Sequence, residues 1–495
     1  MITASIRRNA PPLWLVVALF FTGCFFYFYP QLPHVADEVG YLNRAVDLVQ
    51  PLAYTDALSG ERINLTTQDF PLGTAFLTAI FVWLGGAKAA FMQGWFCLLL
   101  SYLLITAMLR RLQLPEWTAL LCFFFAPALV FSRSIMSDLP SLLLASIFFF
   151  VYYYNKKNAI NTFFLSFIFG LSIWFRETNV IIFFIFIIKI LYDSIKSKNF
   201  ITMFVLVFGI AVALLPRLLT AYYIYGDAWH IKVSGYDFSL RFAAQTFLLY
   251  SLTLNVFFPF GFWQVLQYKN KTADVTDWIL KTTLSLFFLF FILYEYNGIG
   301  SSGWAKASLL STRFFVPLLP FFCLILANNA LRFQAKITQY GIKNIFIFAV
   351  FLLIFVINKY GNYRDCDHLK IQNLINQYTN KSSKYLIINL KFDEQIKYIT
   401  PLYLTSDATH LVQQQSITDS TVKKLKQQIR DTSIFALSLQ RKGTPLWDTL
   451  ADRNLRVTQK LLQSKKYDKW QGIETADRNV CSVIRFLLSS KHSTK

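Results

Sequence analysis

Apolar runs of about 20 residues recur from the N-terminus to residue 358, and about 20 such residues in a helix match the thickness of a bilayer. A backbone inside hydrocarbon must satisfy its own polar groups, so runs of this kind specify helices that span or line a membrane. With 55% hydrophobic residues, 51 Phe and a mean hydropathy of +0.43, a soluble globular fold is excluded. The expected class is a polytopic α-helical membrane protein.

Basic loops then orient the spans, because Lys and Arg stay on the cytoplasmic side. Arg7 and Arg8 precede a first span at 11–29. Phe21-Thr22-Gly23-Cys24 imitates a lipoprotein cleavage box, but the apolar run continues to Tyr29 and reads as an uncleaved span. A short apolar helix at 70–86 is expected to lie flat, which lets span 88–109 deliver Arg110 and Arg111 inside. Further spans follow at 116–132, 139–154, 160–175, 178–192, 200–219, 243–265, 277–294, 307–328 and 342–358. These total about eleven spans. In this arrangement Asp37, Glu38, Asp69, Asp138, Arg176 and Arg313 all fall on or near the outer face. Ionisable residues kept at membrane depth are costly and usually functional.

The first outer segment opens with HVADEVGYLNRAVDLVQ, bracketed by Pro33 and Pro51. Val35, Val39, Leu42, Val46 and Val49 form one apolar stripe at helical spacing, with Asp37, Tyr41, Arg44 and Asp47 off it. The pattern predicts a helix along the membrane surface that holds Asp37 and Glu38 at the water boundary. An ordinary interfacial helix with acids facing water has the same pattern.

Beyond residue 360 the composition turns polar. That part holds 22 Lys and Arg against 12 Asp and Glu, out of a net charge of +21 for the chain. Strands are expected at Tyr385–Leu390, Ser433–Ser438 and Cys481–Leu488, and a helix at Ser420–Arg430. The expectation is a transmembrane domain over 1–359 and a basic α/β domain over 360–495 on the outer side. Such a domain suits anionic head groups or phosphorylated glycans. Nucleic acid is not expected, since no aromatic-basic binding signature is present. Cys366 and Cys481 flank this domain and are candidates for a disulfide in an oxidising compartment.

Several chemistries have no footprint. There is no P-loop, no GxGxxG after a strand, no HExxH and no CxxC, and the five His lack metal-ligand spacing. Asp365-Cys366-Asp367 directly follows a span and reads as a loop, not as a nucleotide-sugar metal site.

An ordered set of short motifs remains: Ala36-Asp37-Glu38-Val39-Gly40-Tyr41, Gln68-Asp69-Phe70-Pro71-Leu72, Met136-Ser137-Asp138-Leu139-Pro140, Trp174-Phe175-Arg176 and Arg313-Phe314-Phe315-Val316-Pro317-Leu318-Leu319-Pro320. In order and sidedness this resembles the C-type glycosyltransferases that use polyprenyl-phosphate sugars, over about residues 11–330. Protein O-mannosyltransferases and aminoarabinose transferases acting on lipid A are the most similar members. The resemblance implies an inverting transfer from a polyprenyl-phosphate sugar to an envelope glycolipid, polysaccharide or protein, at the periplasmic face of a bacterial inner membrane.

By that resemblance Asp37 is the base for the acceptor hydroxyl. Asp138 orients the acceptor or holds a neighbouring divalent cation. Glu38 is open between a catalytic and a packing role. Arg176 and Arg313, then Arg217, are candidates to hold the departing phosphate, against a reading in which each snorkels to the interface. Tyr41 and Asp69 are candidate substrate contacts, and Asp69 also suits an N-cap of the second helix. Tyr222, Tyr223, Tyr225 and Trp229 either stack on sugar or prenyl chain or form an interfacial belt. The competing functions are an O-antigen polymerase or ligase and a lipid or glycan flippase. The absence of an internal repeat speaks against the flippase.

Overall fold

The computed structural model describes residues 13–27, 29–30, 36–49, 54–56, 71–154, 158–230, 238–258, 261–268, 277–294, 311–332, 384–389, 409–413, 434–440 and 483–487. Helices come first: α1 Leu13–Tyr27, α2 Ala36–Val49, then after strand β1 (Tyr54–Asp56), α3 Leu72–Gly85 and α4 Met92–Arg111. Two short helices follow, α5 Leu121–Phe124 and α6 Ala126–Phe131. The long helices continue as α7 Asp138–Tyr154, α8 Ala159–Phe175, α9 Asn179–Lys196, α10 Phe200–Tyr225 and α11 Ala243–Phe257. Then come α12 Gly261–Gln267, α13 Asp277–Leu293, a 3-10 stretch Arg313–Leu318 and α14 Leu319–Arg332. Strands β2 Lys384–Asn389, β3 Thr409–Gln413, β4 Ile434–Gln440 and β5 Val483–Leu487 end the described chain.

Among the described residues three helical stretches are long and apolar enough to cross a membrane: Ala87–Arg111, Phe200–Tyr225 and Arg313–Ala330. Shorter apolar helices accompany them. The expected span 342–358 lies outside the described residues, as do the helix 420–430, Asp69, Cys366 and Cys481.

Local chemistry explains most boundaries. Asn158 and Asn199 cap α8 and α10, their side chains accepting from the amides of Asn161 and Thr202. Gly226, at φ 74°, ends α10 in the left-handed conformation that a residue with a Cβ adopts only at a cost. Two expected continuous spans are broken. At 116–132 the chain leaves the helix at Phe125, because Pro127 has no amide to continue it and instead stands in the first turn of α6. At 243–265 the helix stops at Phe257 and restarts at Gly261.

By contacts the chain divides into two units, one of Met1–Pro30, Asp69–Leu77 and Phe91–Asn362, the other of Gln31–Gln68, Thr78–Ala90 and Tyr363–Lys495. The core of the first is aromatic. Phe186 meets Phe148 and Phe149 edge to face, Phe149 meets Phe321 likewise, and Phe183 packs tilted on Phe148. Helix α10 buries only one stripe, Leu206, Gly209, Ala213, Arg217 and Ala221. Phe200, Phe204, Val207, Leu215 and Leu219 on its other faces are exposed, as a lipid-facing helix requires.

That stripe meets α8 through small residues. A Cβ on Gly209 would collide with Ser166 Oγ and stand 2.8 Å from the Phe163 carbonyl oxygen. Gly170 is pressed likewise against Ala213 and Ile210. Gly209→Leu is therefore expected to separate α8 from α10 and cost about 1–3 kcal/mol, read as earlier thermal unfolding in detergent; an unchanged transition would contradict the packing.

The second unit holds α2 and a five-stranded sheet of order β1-β3-β2-β4-β5, parallel except for β4–β5. Its edge strand comes from the segment between α2 and α3: Tyr54 pairs with Thr409 and Asp56 with Leu411. The sequence predicts β2, β4 and β5 to within two residues, but neither β1 nor β3.

Candidate functional site

In the first unit the site starts at Asp138, the first residue of α7. The approach to it is a tight turn at Ser132–Ser134, and Gly94 of α4 makes room for that turn. A Cβ there would lie 2.6 Å from the Ser132 carbonyl oxygen. Asp138 is 1% exposed, and its carboxylate is met by two cations.

Arg176 supplies the first. It caps α8 in an extended conformation, its amide bonded to the Ser172 carbonyl at 3.1 Å. Its Nη1 donates to Asp138 Oδ1. The α8–α9 turn that carries it is braced by Asn179, whose Nδ2 donates to Ser141 Oγ at 2.8 Å and to the Ser172 carbonyl at 3.0 Å. Trp174, just before it, donates from Nε1 to the Ala213 carbonyl and packs its backbone against Gly73.

Arg313 supplies the second. Its Nε lies 4.0 Å from Asp138 Oδ2, and its side chain is 7% exposed. Pro317 and Pro320 lack amides, so the carbonyls of Arg313 and Val316 have no i+4 donor and the segment winds as a 3-10 turn. Phe314 lies between the two cations, its ring centroid 4.6 Å from Arg176 Cζ and 5.3 Å from Arg313 Cζ. Residues far apart in sequence thus build one buried Arg–Asp–Arg cluster. Such a cluster is a poor stabilising device compared with apolar packing. It is a good seat for an anion.

Arg217 lies on the buried stripe of α10, so it does not snorkel. Its Nη2 donates to Glu177 Oε1 and to the His230 carbonyl, both at 3.3 Å. Of the loop aromatics, Tyr225 stacks on His230 at 4.1 Å, while Tyr222, Tyr223 and Trp229 are exposed.

An apolar cavity of about 190 Å³ lies among α11, α12, α13 and the segment leading into α14. Phe315 and Leu318, from the same 3-10 turn as Arg313, line it together with Leu254, Phe258, Leu284 and Phe322.

Two solved structures share this fold. ArnT from Cupriavidus metallidurans in the apo state matches with a TM-score of 0.52 at 12% identity, over 98% of each chain. The same protein bound to undecaprenyl phosphate matches with a TM-score of 0.54 at 11% identity, over 98% of this chain and 99% of that one. The chain has the fold of these ArnT structures. No protein-family profile and no curated protein sequence matches it.

Within the second unit of this ArnT-like fold, α2 is enclosed along much of its length. Glu38 and every residue from Gly40 to Val46 are buried, Tyr41, Asn43 and Arg44 included. Over Gly40–Val46 the helix is packed on all sides, while Leu48 and Val49 are exposed. Leu42 and Val46 of the expected stripe are buried, and Tyr41 and Arg44, off that stripe, are buried as well. Asp37 is half-buried, and Glu38 is fully enclosed. Asp69 falls outside the described residues.

Among the described residues no three His, Cys, Asp or Glu side chains gather where a metal could bind. Glu177 and Asn179 carry much of the cluster's geometry without standing out in the sequence, whereas Phe314 belongs to the Arg313–Pro320 motif. For Glu177 and Asn179 the available signal was position: each falls in the short turn that presents Arg176.

Proposed function

We propose that the chain is an inverting glycosyltransferase that moves a sugar from a polyprenyl phosphate to an envelope acceptor at the periplasmic face of the inner membrane. The observation that carries the reading is the shared 3-10 turn. Arg313 faces a buried carboxylate on one side of it, while Phe315 and Leu318 line an apolar cavity on the other. A lipid phosphate has both halves of the matching chemistry, an anion and an isoprenoid chain. The cavity exceeds the roughly 150 Å³ that suffices to hold a benzene ring, enough for a short length of prenyl chain. The ArnT structure with undecaprenyl phosphate lends the fold-level precedent.

The reaction follows from simple bookkeeping of bonds. The Asp37 carboxylate takes the acceptor's proton, the acceptor oxygen bonds to the anomeric carbon, and the carbon–oxygen bond to the lipid phosphate breaks with inversion. Negative charge grows on the departing phosphate, where Arg176 and Arg313 act. Asp138 holds both guanidinium groups in place until the phosphate arrives. Tyr41 and Asp69 are assigned to substrate contacts, and Glu38 to support of Asp37. The basic region after residue 360 receives the acceptor, an envelope glycolipid, polysaccharide or protein with anionic groups.

Arg313→Gln is expected to raise the dissociation constant for undecaprenyl phosphate about 10–100-fold, the worth of a hydrogen bond to a charged group. Titration of the purified full chain in detergent measures it. Equal affinity in the variant would remove Arg313 from the site and with it the main support for this reading.

A further inference from the structure

Arg217 has the appearance of a third phosphate ligand, yet its surroundings give it different work. It faces inward on α10, with its side chain 9% exposed. The guanidinium is engaged on the protein side by a carboxylate, Glu177, and by a backbone carbonyl, His230. The Glu177 charge cancels its own, so the pair offers an incoming phosphate no net attraction.

Glu177 follows Arg176 directly in the turn between α8 and α9. In that turn the backbone at Arg176 is extended, at φ −165° and ψ 126°, and successive side chains of extended backbone point in opposite directions. Arg176 accordingly reaches α7 and Glu177 reaches α10. The turn is held by two neighbouring side chains, Arg176 on Asp138 and Glu177 on Arg217. We infer that Arg217 and Glu177 form a positioning pair that fixes the Arg176–Asp138 bridge and ties the loop Gly226–His230 to it, and that neither residue contacts the donor. This rests on the proposed lipid-phosphate reaction only where donor binding is the readout.

Pro216 adds to the argument. It stands inside α10 one residue before Arg217, leaves the Val212 carbonyl without its helical donor, and has its own carbonyl engaged by Thr220 Oγ at 2.8 Å. A helix interrupted at this point bends easily; Trp174 Nε1 ties α10 to α8 on the N-terminal side of Pro216, through the Ala213 carbonyl, and Arg217 ties it to the α8–α9 turn on the C-terminal side.

The test compares Arg217→Gln, Glu177→Gln and the double variant in the full chain in detergent. Two measurements are made: hydrogen exchange at the Arg176–Ile181 amides without ligand, and affinity for undecaprenyl phosphate. Positioning predicts faster exchange in each single variant, no further increase in the double, and an affinity loss of about three- to tenfold that is the same for all three. A direct phosphate ligand predicts opposite signs, with Arg217→Gln binding more weakly and Glu177→Gln binding as well as wild type or better. That outcome overturns the inference. Unchanged affinity with faster exchange also overturns it, because the pair is then merely structural. If wild type binds no undecaprenyl phosphate, the donor reading fails by itself. Exchange then decides the pair: unchanged rates at Arg176–Ile181 would sink it, and faster, non-additive rates would sustain it.

Discussion

Asp37→Asn is expected to slow sugar transfer about 10²–10⁴-fold, the usual contribution of a general base, while undecaprenyl phosphate binding stays unchanged. Asn keeps the shape and one acceptor oxygen of Asp but cannot take a proton at neutral pH. The loss should therefore appear in kcat and not in donor affinity. The choice of Asp37 over Glu38 rests on access. Asp37 is half-buried, whereas Glu38 has no exposed surface and cannot meet an acceptor hydroxyl without rearrangement. Both stand in the first turn of α2, where the positive end of the helix favours negative charge. Glu38→Gln should act mainly through stability. A purified Asp37→Asn variant that transfers sugar at more than about a tenth of the wild-type rate would fall outside the range for a lost base and end the assignment. The same variant separates an enzyme from a flippase, since a carrier has no chemical step that needs the proton acceptor.

What the sequence discloses follows from how local each cause is. Helices α1, α7 and α8 were legible to within two residues because uncharged runs and their polar ends are sufficient signals. The breaks at Phe125 and Phe257 were less visible, since an apolar run looks the same whether or not the helix is continuous. Pro127 was a legible warning at the first. The pairing of Tyr54–Asp56 with Thr409–Gln413 could not be read at all: parallel neighbours need a crossover of any length, and nothing in three residues names a distant partner. The burial of α2 illustrates the same limit. Its apolar stripe is correctly periodic, but Asn43 and Arg44 are enclosed with it, and enclosure is a property of the surroundings. The motif order brought Asp138, Arg176 and Arg313 under suspicion together, and the three do converge. The geometry that makes Arg217 face Glu177 needs the turn between α8 and α9, which spacing alone does not supply.

Asp138→Asn carries the second large effect, a loss of about 3–5 kcal/mol in stability, as expected when one partner of a buried ion pair is removed. The carboxylate is 1% exposed, and Arg176 and Arg313 are 16% and 7% exposed at their side chains, so water can replace little of the lost interaction. Both guanidinium groups would also lie within about 5 Å of one ring with no anion between them. Two further results distinguish an anion seat from an ordinary structural pair. Adding Arg176→Gln to Asp138→Asn should recover part of the stability, because the uncompensated buried charge is the source of the penalty. Undecaprenyl phosphate should raise the melting temperature of Asp138→Asn more steeply than that of wild type, since a ligand stabilises in proportion to its affinity for the folded state and the two arginines no longer have a resident carboxylate. A steeper response to the lipid than to inorganic phosphate would assign the prenyl chain to the neighbouring apolar cavity. An Asp138→Asn protein as stable as wild type, with no response to either anion, would show that the cluster neither holds the fold together nor receives a phosphate.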